Sequence, residues 1–435
     1  MIEETVLLLA RSPALIKISV TFFFMLLLSR VLPLYAGILL GSVVISLWMG
    51  LSLLQFASSL WREVTSIETL GIAMIIAMIL VLGDLLKRTG QLDRIVFSFG
   101  LLSSSSRLTA AALPALIGLL PMPGGAIFSA PMIETALQDD SVEPELKVAI
   151  NYWFRHICEF WWPLGPGLIL AISLLGVPSW QVLAAQSPLT VGSLVAGIIF
   201  ILPLVPNRDS AGNVVSVENL RVFAREVMPI TLVVAVLFGT ETVLQAMEYS
   251  LARTLAWPKH LSFVLGLGSA IMLVIRRNSV SLPAVRAAVF NRNTISMIAI
   301  VLAIMIFKGV LIDSHAIEQV QIELTDSKIP PLLIIAILPL IAGFVTGIAV
   351  GFVGASFPLV MTLFPEGCSP LPFAMLAYGF GFMGMMLSPI HVCLLVSQEY
   401  FAAEMTKGYR YLWKPVLFSL GWTIAVFLAY HFIPM

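Results

Sequence analysis

Long apolar segments alternate with short polar connections along the whole chain. About ten of these segments have the length of roughly twenty residues that a helix needs to cross a hydrocarbon core of about 30 Å. The connections between them are too short to form a soluble domain. We predict membrane-spanning helices at about 13–29, 33–49, 67–86, 147–174, 188–205, 224–245, 260–275, 294–312, 370–397 and 414–433. The pattern therefore predicts an all-α polytopic membrane protein.

Two further apolar regions, at about 108–137 and 329–365, are too long for one span and too short for two spans with an ordinary loop. The first contains "LLPMPGGAIFSAPM", where Pro121, Pro123, Gly124 and Gly125 interrupt an otherwise apolar run. A proline inside a helix costs about 3 kcal/mol and a glycine about 1 kcal/mol, but both residues suit the tip of a turn. We therefore predict two re-entrant helical hairpins, and we place the tip of the second one at Gly354.

The two halves of the chain resemble each other in order. "GGAIFSAPM" (124–132) is similar to "VGASFPLVM" (353–361), and "RHICEFWWPLGPG" (155–167) is similar to "GFMGMMLSPIHVC" (381–393), which aligns Pro163 with Pro389. Each half is predicted to contain a span, a connector, a hairpin, a proline-broken helix and a second span, in this order. The excess of Lys and Arg in the connections on one side of the membrane indicates that the two halves run in opposite directions. Such inverted repeats are typical of secondary transporters. The predicted organisation is N-terminal scaffold helices at 1–64, a first inverted repeat at 65–205, a connecting loop with scaffold helices at 206–290 and a second inverted repeat at 291–435.

Interrupted helices leave backbone groups that lipid cannot satisfy, so such breaks survive where protein covers them or where they line a polar cavity. The helix starts at the breaks offer unpaired N–H groups and a partial positive charge, which attract anions. We therefore predict a substrate site at the two hairpin tips and two broken helices. Its candidate residues are Gly124, Gly125, Ser129, Gly354, Ser356, Ser388 and His391.

Ionisable residues are rare in the apolar segments, and such residues are functional candidates because burying them in a membrane is costly. Arg155, His156 and Glu159 are spaced so that they share one face of a helix, and we predict that they couple transport to an ion gradient. The alternative is a structural ion pair near the end of a long helix. His391 follows the second break and can equally be a packing residue.

Composition excludes several function classes. Hydrophobic residues make up 59% of the chain and charged residues 11%, and the formal net charge is zero, so a nucleic-acid partner has no electrostatic basis. The three cysteines lack metal-ligand spacing, and the chain contains none of the common hydrolase, metalloprotease or phosphate-loop motifs. We predict neither an enzyme nor a metal or cofactor site, apart from a coupling Na⁺ or H⁺.

The motifs "LLPMPGGAIFSAPM" and "LSPIHVCLLVSQEYF" resemble the family of integral membrane proteins known as domain of unknown function 401. That family is grouped with the ion transporter superfamily, which includes gluconate permeases, citrate transporters and divalent-anion/sodium symporters. The resemblance implies a dimeric, elevator-type transporter. Relatives with carboxylate substrates carry Ser-Asn-Thr at the hairpin tips, whereas the matching segments here, "PGGAIFSA" and "VGASFP", lack the asparagine. The resemblance therefore specifies neither the coupling ion nor the substrate.

The sequence as a whole predicts a secondary active transporter in a prokaryotic inner membrane. Its substrate is expected to be a small anionic metabolite, moved with a proton or sodium gradient. Two alternatives remain open at this point: a cation/proton antiporter without an organic substrate, and a membrane scaffold or partner subunit that transports nothing. The expected partners are the substrate, the lipid bilayer and a second copy of the chain.

Overall fold

The computed structural model describes residues 12–28, 31–100, 102, 105–119, 124–137, 142–206, 216–250, 260–327, 330–365 and 367–432. The elements of these residues are helices, as the sequence predicts. Five helical segments of the described chain are long and apolar enough to cross a membrane: Ile67–Arg88, Ser179–Leu204, Val217–Leu244, Leu282–Asp313 and Met405–Tyr430. The predicted all-α class is confirmed, and the five long apolar helices are compatible with the predicted membrane protein, while the number of spans stays a prediction.

The first part of the chain forms eleven described helices. They are α1 (Ala14–Leu28), α2 (Leu34–Trp48), α3 (Leu53–Thr65), α4 (Ile67–Arg88), α5 (Gln91–Gly100), α6 (Ser106–Gly118), α7 (Ala126–Ala136), α8 (Pro144–His156), α9 (Pro166–Leu175), α10 (Ser179–Phe200) and α11 (Val217–Ser250). A short 3₁₀ turn, Leu202–Leu204, follows α10. The apolar region that we predicted to be a broken helix at 147–174 is thus divided into α8 and α9.

The second part of the chain forms nine more described helices. They are α12 (Leu261–Arg277), α13 (Leu282–Val289), α14 (Arg292–Asp313), α15 (Ala316–Ser327), α16 (Pro331–Thr346), α17 (Ala349–Val360), α18 (Leu371–Met386), α19 (Val392–Phe401) and α20 (Met405–Phe432). A 3₁₀ turn, Met361–Leu363, continues α17. Here the apolar region at 370–397 is divided into α18 and α19.

The packing of the helices has a twofold pattern. Within each half, the first arm of a hairpin lies against the first part of the broken helix, so that α6 contacts α8 and α16 contacts α18. Between the halves, the return arm of one hairpin contacts the second part of the other broken helix, which pairs α7 with α19 and α17 with α9. The outer spans also pair, α4 with α14 and α10 with α20. These contacts bring both hairpins and both broken helices into one central body.

The turns of the two hairpins are made by left-handed glycines. Gly124 has φ +70° and Gly347 has φ +64°, a region that residues with a Cβ enter only at a cost of about 1–2 kcal/mol. The predicted tip at Gly354 is wrong, because Gly354 lies inside α17 and is packed against Ile304 of α14. The Gly-Ala-x-Phe motif that suggested this position reflects close helix packing and not a turn. Pro121 and Pro123 lie outside the described residues.

Glycines let the first arm of each hairpin approach a backbone directly. A Cβ at Gly118 would overlap the carbonyl oxygen of Arg155 in α8. In the second half, a Cβ at Gly343 would overlap the carbonyl oxygen of Gly381, and one at Gly384 would overlap that of Leu340. The arms therefore pack backbone to backbone on the broken helices.

Replacing Gly384 with alanine is expected to lower the free energy of unfolding by about 1–3 kcal/mol, because the added methyl group has to displace the backbone of α16. Gly421→Ala is the matched control, since nothing lies within 4 Å of a Cβ at this exposed helical position. There alanine should leave stability unchanged or raise it by up to about 1 kcal/mol. Unfolding of the detergent-purified variants measures both effects, and equal stability would contradict the close approach of α16 and α18.

Candidate functional site

A cavity of about 130 Å³ lies between the hairpins and the broken helices of the two halves. Four segments that each begin a helix contribute to its wall: Gly124 before α7, Gly165–Gly167 at the start of α9, Gly347–Val350 at the start of α17, and His391–Cys393 at the start of α19. The N–H groups of a helix start have no partner inside the helix and carry a partial positive charge. Helix starts of this kind offer hydrogen-bond donors suited to an anion, in a wall that is otherwise mostly apolar.

The hairpin turns meet the breaks of the opposite half. A Cβ built on Gly124 lies 3.5 Å from Cγ1 of Val392, and one built on Gly167 would overlap Ala349. Pro163 lies in the irregular segment 157–165 between α8 and α9, and Pro389 lies in the segment 387–391 between α18 and α19. Trp162 donates a hydrogen bond from Nε1 to the carbonyl oxygen of Leu119 at 2.7 Å, which ties the first break to the end of α6.

Arg155, His156 and Glu159 lie together at the end of α8 and in the turn that follows it. Nη1 of Arg155 lies 3.1 Å from Oε1 of Glu159 and 3.3 Å from Nε2 of His156. The Arg155 side chain is 4% exposed, whereas that of Glu159 is 23% exposed and lines the cavity. The helical spacing predicted that these residues share a face, and the structure places all three on the cavity wall.

His391 of the second half contacts His156 of the first half. Their Nε2 atoms are 3.1 Å apart, and Nδ1 of His156 lies 2.6 Å from the carbonyl oxygen of Tyr152. Because a carbonyl only accepts, Nδ1 of His156 carries the hydrogen and its Nε2 is an acceptor. Arg155 and Nε2–H of His391 then donate to the same nitrogen. We assign these tautomers from the hydrogen-bond geometry.

Tyr152 links the first parts of the two broken helices. Its hydroxyl donates to the carbonyl oxygens of Met385 and Met386 at 3.3 and 3.2 Å. These carbonyls belong to the last turn of α18, and that of Met385 also accepts from the backbone N–H of Ser388 at 3.0 Å. Tyr152 therefore binds the end of one broken helix from the side of the other.

His156, His391 and Cys393 form a cluster that the sequence analysis did not anticipate. Their ligand atoms lie within 4.8 Å of one another and all three residues are buried, and nitrogen and sulfur ligands of this kind bind transition metals elsewhere. The surroundings are unfavourable for a cation, however. The guanidinium of Arg155 places a full positive charge 3.3 Å from Nε2 of His156. The arrangement therefore suits an anion better than a metal ion.

None of the three predicted serine ligands is among the described residues that line the cavity. Ser129 is buried inside α7 and donates to Oδ1 of Asn151 at 2.5 Å, and Ser356 is buried inside α17 and donates to the carbonyl oxygen of Phe352 at 2.6 Å. Hydroxyls in helices commonly bond to the preceding turn, which explains Ser356. Ser388 is buried at the second break, beside the turn at Gly347, and its hydroxyl has no hydrogen-bond partner among the described residues.

Asn151 joins three elements around the first hairpin. Its Nδ2 donates to the carbonyl oxygen of Ala126 and to the hydroxyl of Ser397, both at 2.9 Å, and its Oδ1 accepts from Ser129. The side chain is fully buried. Sequence reasoning missed Asn151, although an amide within a long apolar segment is itself a signal. It also missed Gly347, because a single glycine within "FVTGIAVG" indicates a turn no more strongly than the glycines near it.

Comparison with known families gives one match. The family model described as "Protein of unknown function (DUF401)" matches residues 16–433, which is nearly the whole chain. No curated protein matches the chain. The predicted family is confirmed, and the wider relation to ion transporters stays a prediction.

Replacing Asn151 with alanine is expected to lower the free energy of unfolding by about 1–3 kcal/mol, because the buried partners of its amide lose their hydrogen bonds. Asn293→Ala is the matched control, since Asn293 is exposed at the start of α14, and it should change stability by less than about 0.5 kcal/mol. Denaturation of both purified variants measures the difference. A stability loss no larger for Asn151 than for Asn293 would contradict the three-element link.

Proposed function

The chain belongs to the family described as "Protein of unknown function (DUF401)", and from the geometry of its cavity we propose that it is a secondary active transporter of a small anionic metabolite. The observation that carries the proposal is the convergence of four helix starts and one buried arginine on a single cavity in an apolar helical protein. Interrupted helices with their starts aimed at a central site are typical of transporters that bind anionic substrates.

The twofold packing supports a two-repeat transporter. Equivalent elements of the two halves make equivalent contacts, and each hairpin reaches the broken helix of the other half. We propose that the halves are inverted repeats with the boundaries predicted from the sequence, that the chain is related to the ion transporter superfamily, and that the central body moves against scaffold helices in an elevator-like cycle. We also propose a homodimer in a prokaryotic inner membrane.

Coupling is proposed at the group formed by Arg155, His156 and Glu159. Two of these residues, Arg155 and Glu159, are the charged residues among the described residues that line the cavity. Buried charges in a membrane protein are costly unless they serve binding or ion movement. The driving ion is a proton or Na⁺. Such a site performs transport and requires no catalytic step.

The proposal is tested by screening ligands for thermal stabilisation of the purified chain against organic acids, inorganic anions and cations at two pH values. A ligand that binds the folded state raises the unfolding temperature by mass action. We expect one or more anions to stabilise the protein. Stabilisation by cations alone would instead indicate the cation/proton antiporter, and no stabilisation by any anion would contradict the proposal.

Gly347→Ala should abolish the stabilisation by the anion found in the screen. The added Cβ would lie 3.0 Å from Oγ of Ser388 and 3.2 Å from the backbone nitrogen of His391, at the helix start that faces the cavity. Gly367→Ala is the matched control, because Gly367 has a similar left-handed φ of +76° with nothing within 4 Å of its Cβ position. Both variants carry the same backbone strain of about 1–2 kcal/mol. Equal loss of binding in both would exclude a specific role for the turn at Gly347.

A further inference from the structure

The cavity wall contains one full positive and one full negative charge among the described residues that line it, on Arg155 and Glu159. The other polar side chains of this wall are neutral: two imidazoles, the thiol of Cys393, the phenol of Tyr378 and the indole of Trp162. The ligand-free cavity is therefore balanced in charge. Any anion that enters adds a charge that has to be compensated, because an isolated buried charge is strongly unfavourable.

The helix ends around the cavity do not supply that compensation as a net charge. Each hairpin turn and each break joins the C-terminal end of one helix to the start of the next. The partial charges of about +0.5 at the starts and about −0.5 at the ends therefore cancel in sum. The helix starts orient a bound anion, whereas the charged side chains determine the net charge that the anion and the cavity have together.

Glu159 occupies the described approach to Arg155 from the open side of the cavity. The Arg155 side chain is 4% exposed and that of Glu159 is 23% exposed, so the carboxylate is the more open member of the pair. Nη1 of Arg155 lies 3.1 Å from Oε1 of Glu159 and 3.3 Å from Nε2 of His156. An incoming carboxylate that bonds to Nη1 from the cavity therefore competes with Glu159.

We propose that the carboxylate of a small monoanion replaces Glu159 on Arg155 and that Glu159 takes up one proton as it leaves, so that one anion binds together with one proton. The inference rests on the proposed function and names its substrate class and coupling ion. The charges balance: the arginine–glutamate pair becomes an arginine–substrate pair beside a neutral carboxylic acid. The proton comes from the solution to which the cavity is open.

The groups that face Glu159 favour a proton over a metal cation. They are Cys158 from its own segment, Tyr152, Arg155 and His156 from α8, Tyr378 from α18, and His391 and Cys393 from the start of α19, while α4 and α14 present the apolar Leu80 and Met297. A hard cation needs several oxygen ligands, and Tyr378 is the other side-chain oxygen among the described lining residues. A proton neutralises the displaced carboxylate without further ligands.

The size and the walls of the cavity define the rest of the substrate. The volume is about 130 Å³, slightly below the roughly 150 Å³ of an engineered cavity that accepts benzene. The site thus accommodates about six non-hydrogen atoms. Leu80, Leu164, Met297, Ile348 and Val350 give it apolar walls. A short-chain monocarboxylate fits these features, and butyrate is a suitable probe.

The experiment is titration calorimetry of the purified full chain with butyrate, in potassium buffers of differing ionisation enthalpy and over a pH series. We expect uptake of one proton for each butyrate bound, without sodium. Where Glu159 is ionised in the ligand-free protein, the Kd should rise about tenfold per pH unit. Glu159→Gln should bind butyrate without proton uptake and with a Kd independent of pH. Glu318→Gln, which changes an exposed carboxylate at the start of α15, should behave like the wild type.

The outcomes separate this inference from the proposed function. The exchange at Arg155 is overturned if the wild type binds butyrate without proton uptake, or if Glu159→Gln takes up the same number of protons as the wild type. Neither result contradicts the proposed anion site. Failure of butyrate to bind, or tighter binding of the dianion succinate, overturns the substrate class. The proposed function itself fails if no anion of the stabilisation screen binds. If Glu159→Gln does not fold, the pH series of the wild type decides.

Discussion

The structure depends on one constraint: a backbone that leaves its helix inside an apolar protein has to find partners for its N–H and C=O groups. The chain meets this constraint by bringing its four interruptions together. Tyr152 donates to the carbonyl of Met386 at the end of α18 and Trp162 donates to the carbonyl that follows α6, while Asn151 fixes the start of α7 through the carbonyl of Ala126. The backbone N–H groups at the starts of the interrupted helices belong to residues that border the cavity. The polar groups of the site and the interruptions of the helices therefore have the same cause.

The two halves share their architecture but not their chemistry. In the alignment that pairs Pro163 with Pro389, the charged residues Arg155 and Glu159 correspond to Gly381 and Met385. The second half contributes His391 and its helix starts, while the first half contributes the ion pair. Repeated packing and unrepeated side chains are compatible, because the packing requires only small residues at contacts and the binding chemistry requires one charged group.

The interruptions within the apolar regions 108–137, 147–174 and 370–397 could be predicted from the sequence, because prolines and glycines inside an apolar run disfavour a continuous helix. Sequence reasoning placed the second turn seven residues too late, since Gly347 and Gly354 are both isolated glycines and only the backbone conformation separates them. It identified Arg155, His156, Glu159 and His391 as candidates from their rarity in apolar segments. The contact between His156 and His391 required the fold, because these residues are 235 positions apart.

The backbone contacts at Gly343 and Gly384 limit how the cavity can open. At these glycines the backbones of α16 and α18 touch directly, so sliding or rotating one helix past the other would break close contacts. Compact helix interfaces of this kind behave as solid blocks. Movement of the second hairpin alone is therefore disfavoured, and the hairpin and its broken helix are expected to move as a single block.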